Sequence, residues 1–343
     1  MRLAFLAALI WSCLSLPIRA FEVEDRVLYP ASPAISELRI LSTTDRAAFE
    51  PIILAFQAAH PGIAVDYTIA STTELMTALH DEGAVFDLAI SSAMDLQTKL
   101  ANDGFALTYS AANTGALPDW ANWRKQVFAF TQEPAVLVVS DRFFASGTAP
   151  RTRDDLIDLL RADPDRFQGR VGTYDIRNSG FGYLMATQDS RNSQAFWRLM
   201  EVMGRLEAKL YCCSGDMIRD VSSGELALAY NVLGTYAAAQ QALGVGIQIV
   251  VLEDYANVMM RTALIPVTAR NVPDAQKMID FLNALGTRPD LVAASGLAAI
   301  DQTALRENTA LRPIRFGPGL LVFLDQLRRK NFLRNWQNSL FQE

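Results

Sequence analysis

Histidine is almost missing from this chain, with His60 and His80 the only two in 343 residues. His60 falls in a helix-stopping turn and His80 at a helix end beside Asp81, and neither belongs to an HExxH or CxxC metal pattern. No G-x-S-x-G elbow and no P-loop occurs. Without a visible nucleophile–base pair the chain reads as a binding protein with no cofactor or resident metal, not as an enzyme. Cysteine is scarce too: Cys13, Cys212 and Cys213. The last two are neighbours, and adjacent cysteines close only a strained ring; a vicinal disulfide and two buried thiols at a strand end both stay open. Charged residues make up 20% and the net charge is −6. An acidic chain without a basic stripe is a poor nucleic-acid binder, and nothing in it suits an anionic membrane. Beyond the N-terminus no apolar run is long enough to span a bilayer; Leu320 to Leu324 comes nearest and Asp325 interrupts it.

The N-terminus itself carries Arg2, an apolar run from Leu3 to Leu16, and Pro17-Ile18-Arg19-Ala20 before Phe21. That layout predicts a secretory signal peptide cut after Ala20. The run is about 14 residues, short of the roughly 20 a membrane anchor needs, and the bulky Ile10-Trp11-Ser12 before Cys13 argues against lipidation. Removing Arg2 and Arg19 with the leader takes the net charge from −6 to −8. The 323 residues that remain exceed what one core usually holds, so two lobes are expected.

Residues 21–36 show no sustained period and read as a loose lead-in. Strand–helix units follow. Leu38–Leu41 is a strand, and Phe49, Ile52, Ile53 and Phe56 mark the buried face of a helix that His60-Pro61-Gly62 stops. Ile63–Ile69 and Phe86–Ile90 begin two more units, which together predict a parallel sheet with helices on its faces. Gln126–Phe130 and Ala135–Val139 bracket a first crossing between lobes. Thr152 with Asp155 forms a capping-box pattern at the next helix. Ile247–Leu252 reads as the return crossing, which makes a two-strand hinge. The expected organisation is lobe one over 36–131 plus about 247–295, lobe two over 132–246, and a C-terminal helical segment over 296–343 packing on the lobes. The run Arg328-Arg329-Lys330 reads as a solvated face.

Five strand-to-helix junctions place small polar residues where ligands bind in open parallel sheets: Ser42–Asp45, Ser71–Thr73, Ser91–Ser92, Asp175–Gly180 and Asn231–Thr235. Each alone is a helix cap. Together, three from one lobe and two from the other, they are expected to face one cleft, where free N–H groups at helix starts suit a small anion. Arg177 is either an anion clamp or a partner for Asp175. Asp45 and Asp175 suit ligand hydroxyls, and Trp120, Trp123, Tyr230 and Tyr236 are candidates for the cleft wall.

The run LRILSTTD…FEPIILAFQAAHPGIAVDY, then STTELMTAL, FDLAISSAMDLQTKLANDG and GELALAYNVLGTYAAA, resembles the periplasmic substrate-binding proteins of ABC transporters, over roughly residues 36–340. Within them it is most similar to the branch that binds ferric iron, phosphoglycerate and hexose phosphates. The resemblance implies an α/β, two-lobed type II fold, each lobe a mostly parallel sheet flanked by helices and joined by a two-strand hinge. It implies a periplasmic monomer that closes on a solute and serves an ABC permease or the periplasmic domain of a sensor kinase. It places Ser42, Thr43, Thr44, Ser71, Thr72, Ser91, Ser92, Arg177, Ser179, Gly180, Asn231, Thr235 and Tyr236 on the ligand loops. Ferric members carry two adjacent tyrosines where this chain has only Tyr236, with Tyr230 six residues back. The expected ligand is therefore a phosphorylated or carboxylated metabolite, with ferric iron the alternative.

Overall fold

The computed structural model describes residues 21–112, 117–145 and 147–341; the leader expected at 1–20 lies outside the described residues. Among these no helix is long and apolar enough to cross a membrane.

The first sheet is seeded by β2 (Ser36–Ser42), β3 (Ile63–Ile69) and β4 (Leu88–Ser91), with α1 (Arg46–Ala59), α2 (Thr72–Met76) and α3 (Met94–Asn102) following them. β3, β2 and β4 pair in parallel. The predicted face of α1, Phe49, Ile52, Ile53 and Phe56, is buried against Leu38, Ile40, Val65 and Tyr67 of this sheet. The expected lead-in contains a strand, β1 (Asp25–Tyr29), which runs antiparallel on the outer edge of β3. Its half-exposed edge position leaves little periodicity, and its anchor is non-local: Arg26 donates to both carboxylate oxygens of Asp66, at 2.8 and 2.6 Å.

β5 (Asn122–Trp123) and β6 (Val127–Ala129) complete the far edge of the first sheet, and β7 (Glu133–Ser140) opens the second. There follow α4 (Arg153–Ala162), α5 (Pro164–Phe167), β8 (Val171–Tyr174), α6 (Gly180–Asn192), α7 (Ala195–Arg205), β9 (Lys209–Tyr211), α8 (Ser214–Ser223), β10 (Leu228–Leu233), α9 (Gly234–Ala242), β11 (Ile247–Val250) and β12 (Ala256–Met259). β13 (Thr262–Leu264) returns to the first sheet. α10 (Val272–Asn283), α11 (Pro289–Ser295), α12 (Gln302–Glu307), β14 (Leu311–Pro313) and α13 (Gln326–Leu340) end the chain. The sheet orders are β1-β3-β2-β4-β13-β6-β5 and β14-β12-β7-β10-β8-β9, with β11 also on β7. Each sheet has its own apolar core, the two-lobed α/β architecture.

The return crossing falls later than residues 247–252. β11 pairs with β7 inside the second sheet, and the chain regains the first sheet only through Met260-Arg261 into β13, beside β4 and β6. An apolar strand carries no label for the sheet it joins, and the long β7 offers room for three partners. The two crossing segments run side by side: Phe130 N–H donates to Arg261 O at 3.1 Å and Arg261 N–H to Thr131 Oγ1 at 2.9 Å. A third segment accompanies them, with Gln132 N–H donating to Ala298 O at 2.9 Å, before β14 joins β12.

Candidate functional site

Between the lobes lies a cavity of about 440 Å³. The first lobe contributes Glu24, Thr43, Asp45, Ser71, Thr72 and Ser92; the second contributes Tyr174, Asn178, Ser179, Phe181, the run Cys212 to Asp216, Leu233 and Tyr236. Side chains or backbone of all five junctions therefore reach one space.

Local chemistry decides which junction residues face it. Thr43 Oγ1 accepts from Ser92 N–H at 3.1 Å, which holds two junctions together at the wall. Ser71 caps α2 through Glu74 N–H at 3.2 Å, and Ser179 caps α6 through Gly182 N–H at 3.1 Å. Thr72 Oγ1 reaches across the cleft to accept from Gly180 N–H at 2.9 Å and Phe181 N–H at 3.3 Å. Thr73 Oγ1 donates to Asn178 O at 3.0 Å, and Asp45 N–H donates to Tyr236 Oη at 3.2 Å. These bonds join the lobes directly.

Of the thirteen expected residues, Thr43, Ser71, Thr72, Ser92, Ser179 and Tyr236 line the cavity, and seven do not. Ser42 and Thr44 are fully buried: Ser42 Oγ lies 2.8 Å from Tyr67 Oη, and Thr44 Oγ1 accepts from Arg261 Nη1 at 2.7 Å. Ser91 turns its hydroxyl to Ala93 N–H at 3.1 Å. Gly180 is taken up in the lobe contact. Asn231, left-handed at φ 64° in the bulge of β10, donates to Asp189 Oδ2 at 2.7 Å. Thr235 lines a second chamber of about 630 Å³ that shares Asp45, Gly215, Asp216 and Tyr236 with the first. Arg177 forks onto Asp175, at 2.8 and 2.7 Å, and away from the cavity; its other neighbours are Trp336 and Phe341. Of the four candidate aromatics only Tyr236 lines the cavity. Tyr230 and Trp123 are core residues, and Trp120 packs against the second-lobe core.

Cys212 to Asp216 is a sixth strand-to-helix junction, from β9 to α8, with Ser214, Gly215 and Asp216 in it. In the sequence these polar residues look like an ordinary helix start behind two cysteines. In the structure Cys212 and Cys213 are joined to each other by a disulfide. Glu24 was hidden in the supposed lead-in; its N–H donates to Ile69 O at 2.8 Å, just ahead of β1.

The charge of the wall is of one sign. Glu24, Asp45 and Asp216 line the cavity, and among the described residues no lysine, arginine or histidine does. Withdrawal from water raises the Asp45 carboxyl above its ordinary range; Asp216 adds to the rise and Arg261 opposes it. Glu24 is raised by the same withdrawal, then by repulsion from Asp45, Glu22 and Asp216. Asp216 is held at the rim by the exposed Arg219, at 2.8 Å. Burial pushes the Tyr236 phenol up to about 12, so it keeps its proton.

The family profile of bacterial extracellular solute-binding proteins matches residues 42–284. The substrate-binding protein of an ABC transporter from Agrobacterium tumefaciens is 33% identical, with a TM-score of 0.87 over 92% of this chain and 98% of that one. At 14% identity the likeness is of fold alone. AfuA from Actinobacillus pleuropneumoniae, solved with fructose-6-phosphate, gives a TM-score of 0.71 over 90% of this chain and 100% of its own. Iron-bound HitA from Pseudomonas aeruginosa gives 0.67 over 89% and 99%. No curated protein matches the sequence. A profile match across most of the chain, on two lobes that enclose a shared cavity, makes this chain a member of the bacterial extracellular solute-binding protein family.

Proposed function

We propose that this protein captures a small organic cation in the interlobe cavity, outside the cytoplasmic membrane, and delivers it to an ABC permease. The observation that carries the ligand class is the wall of Glu24, Asp45 and Asp216 with no basic side chain among them. An anion placed there meets three carboxylates and, among the described residues of the wall, no basic side chain to offset them. A cation offsets both the loss of water that first raises Glu24 and Asp45 and the carboxylate repulsion that adds to it, and the aromatic side chains of Tyr174, Phe181 and Tyr236 in the wall suit it. The hydroxyls of Thr43, Ser71, Ser92 and Ser179 leave room for hydrogen-bonding groups on the same molecule.

The expected anion loses its partner, because both arms of the Arg177 fork are taken by Asp175. Iron is less well served: only Tyr236 stands where ferric members carry two adjacent tyrosines, and its oxygen accepts from Asp45 N–H. Among the described residues no group of three His, Cys, Asp or Glu side chains is placed to hold a metal. The leader read at residues 1–20 supports export to the periplasm.

Native mass spectrometry of freshly purified protein, with identification of any released solute, tests the reading. Calorimetry with putrescine and choline on one side and fructose 6-phosphate on the other tests the charge. Binding of a cation, weakened about tenfold or more in Asp45→Asn, on the scale of a charge-assisted bond, is expected. Tight binding of the phosphate with no response to the cations rejects the cation and leaves solute capture standing.

A further inference from the structure

The helix α3 belongs to the first lobe but wedges against the second. Met94, at its start, sits in the second-lobe core cluster, and its sulfur accepts from Met260 N–H at 3.3 Å. Leu96 Cδ1 lies 2.8 Å from where a Cβ would stand on Gly180. Between them, Asp95 is 2% exposed, and its Oδ1 has no hydrogen-bond partner among the described residues.

The surroundings offer it little. Of the elements packed on α3, β6, β13 and the turn Pro318–Leu320 carry no titratable side chain. On α2, Glu74 accepts from Glu22 N–H. On α6, Asp189 is held by Arg153, Tyr230, Asn231 and Asn257, and Arg191 Nη1 donates to Gly319 O at 3.4 Å. Tyr183 spends its hydroxyl on Phe323 O. Arg329 of α13 stacks over the Tyr183 ring, 5.4 Å from its centroid, and acts on Asp95 only through space. A lone carboxylate in such a place is far costlier ionised than neutral.

We propose that closure of the two lobes takes up one proton at Asp95, so that the closed, solute-holding form is favoured in acid and loosens as the pH rises. Burial raises this carboxyl to about 7, against the pull of the Leu96 and Asp95 backbone N–H groups and of Arg329. Parting α3 from α6 returns water to it and restores an ordinary acid near 3.8. Below that value both forms are protonated and closure is indifferent to pH. From there to about 7, closing needs a proton, and the closed-to-open ratio falls by up to tenfold per pH unit. Above about 7 both forms are ionised and the ratio levels off at its lowest. This rests on the lobe contact alone and is independent of the ligand's charge.

Small-angle scattering of the mature chain, freed of bound solute, from pH 5 to pH 8 reads the balance directly. The wild-type radius of gyration is expected to grow with pH. Asp95→Asn, a permanently neutral stand-in, is expected to stay compact to pH 8, with its circular dichroism unchanged. Asp95→Ser serves if the amide disturbs folding. Parallel pH profiles for wild type and variants overturn the proposal, as does a wild type more compact at pH 8 than at pH 5.

Discussion

Asp189 is completely buried and accepts from four side chains: Arg153 at 3.3 Å, Tyr230 at 2.8 Å, and Asn231 and Asn257 both at 2.7 Å. Arg153 is itself 1% exposed, so removing the carboxylate leaves a buried guanidinium with only Asp254 opposite it. Asp189→Ala is expected to lower unfolding stability by about 3 kcal/mol, the low end for a broken buried pair, as read from urea denaturation. The same network explains why Asn231, on a ligand junction by sequence, serves structure instead. Arg177 tells a similar story over two residues: Asp175 and Arg177 were both visible in the sequence, and so was the option of their pairing, but which way the fork turned was not. Arg177→Ala is therefore expected to leave solute affinity unchanged in calorimetry, where an anion clamp would have predicted a loss of roughly 1.5–3 kcal/mol. A tenfold loss in that variant would place the bound solute against Arg177 and outside this cavity.

At the scale of elements, what was legible is what short-range chemistry writes. The capping box is present: Asp155 N–H donates to Thr152 Oγ1 at 3.1 Å and Thr152 N–H to Asp155 Oδ2 at 3.0 Å. Thr152→Ala is expected to cost about 1 kcal/mol of stability and to leave binding untouched, because the box lies outside the cavity wall; thermal unfolding and calorimetry on one sample separate the two. The strand-to-helix junctions were legible for the same reason, since Ser, Thr and Gly at a helix start follow from local backbone needs. β1 and the sheet membership of β11 were not, because edge pairing and the choice among strands of equal apolarity are settled by residues some forty or a hundred positions away. Hence Asp25–Tyr29 finds β3, and Ile247–Val250 stays on β7 where a crossing was expected.

Taken as a whole molecule, the chain joins its two lobes through crossing segments tied by buried bonds and through a contact face between Thr72, Leu96 and Gly180. In the hinge, Arg261 meets Glu133 through two bonds of 3.0 Å, both fully buried, and reaches Thr44 of the first lobe. On the face, a Cβ at Gly180 would stand 2.8 Å from both Leu96 Cδ1 and Thr72 Oγ1, atoms that belong to the opposite lobe. The missing side chain at Gly180 therefore makes room for the opposite lobe to approach. Gly180→Ala is expected to leave the lobes folded, with unchanged circular dichroism, while the added methyl disfavours the closed form by about 1–3 kcal/mol, the usual penalty of overpacking. Solute affinity falls with the closed population, because a binding-competent state that is rarer weakens the apparent affinity in proportion. Scattering then shows a larger particle, and a roughly tenfold weaker dissociation constant accompanies it. Wild-type affinity in Gly180→Ala would show that the form in which Thr72 meets Gly180 is not the one that holds the solute, and the cavity wall would have to be sought in a more open arrangement of the same loops.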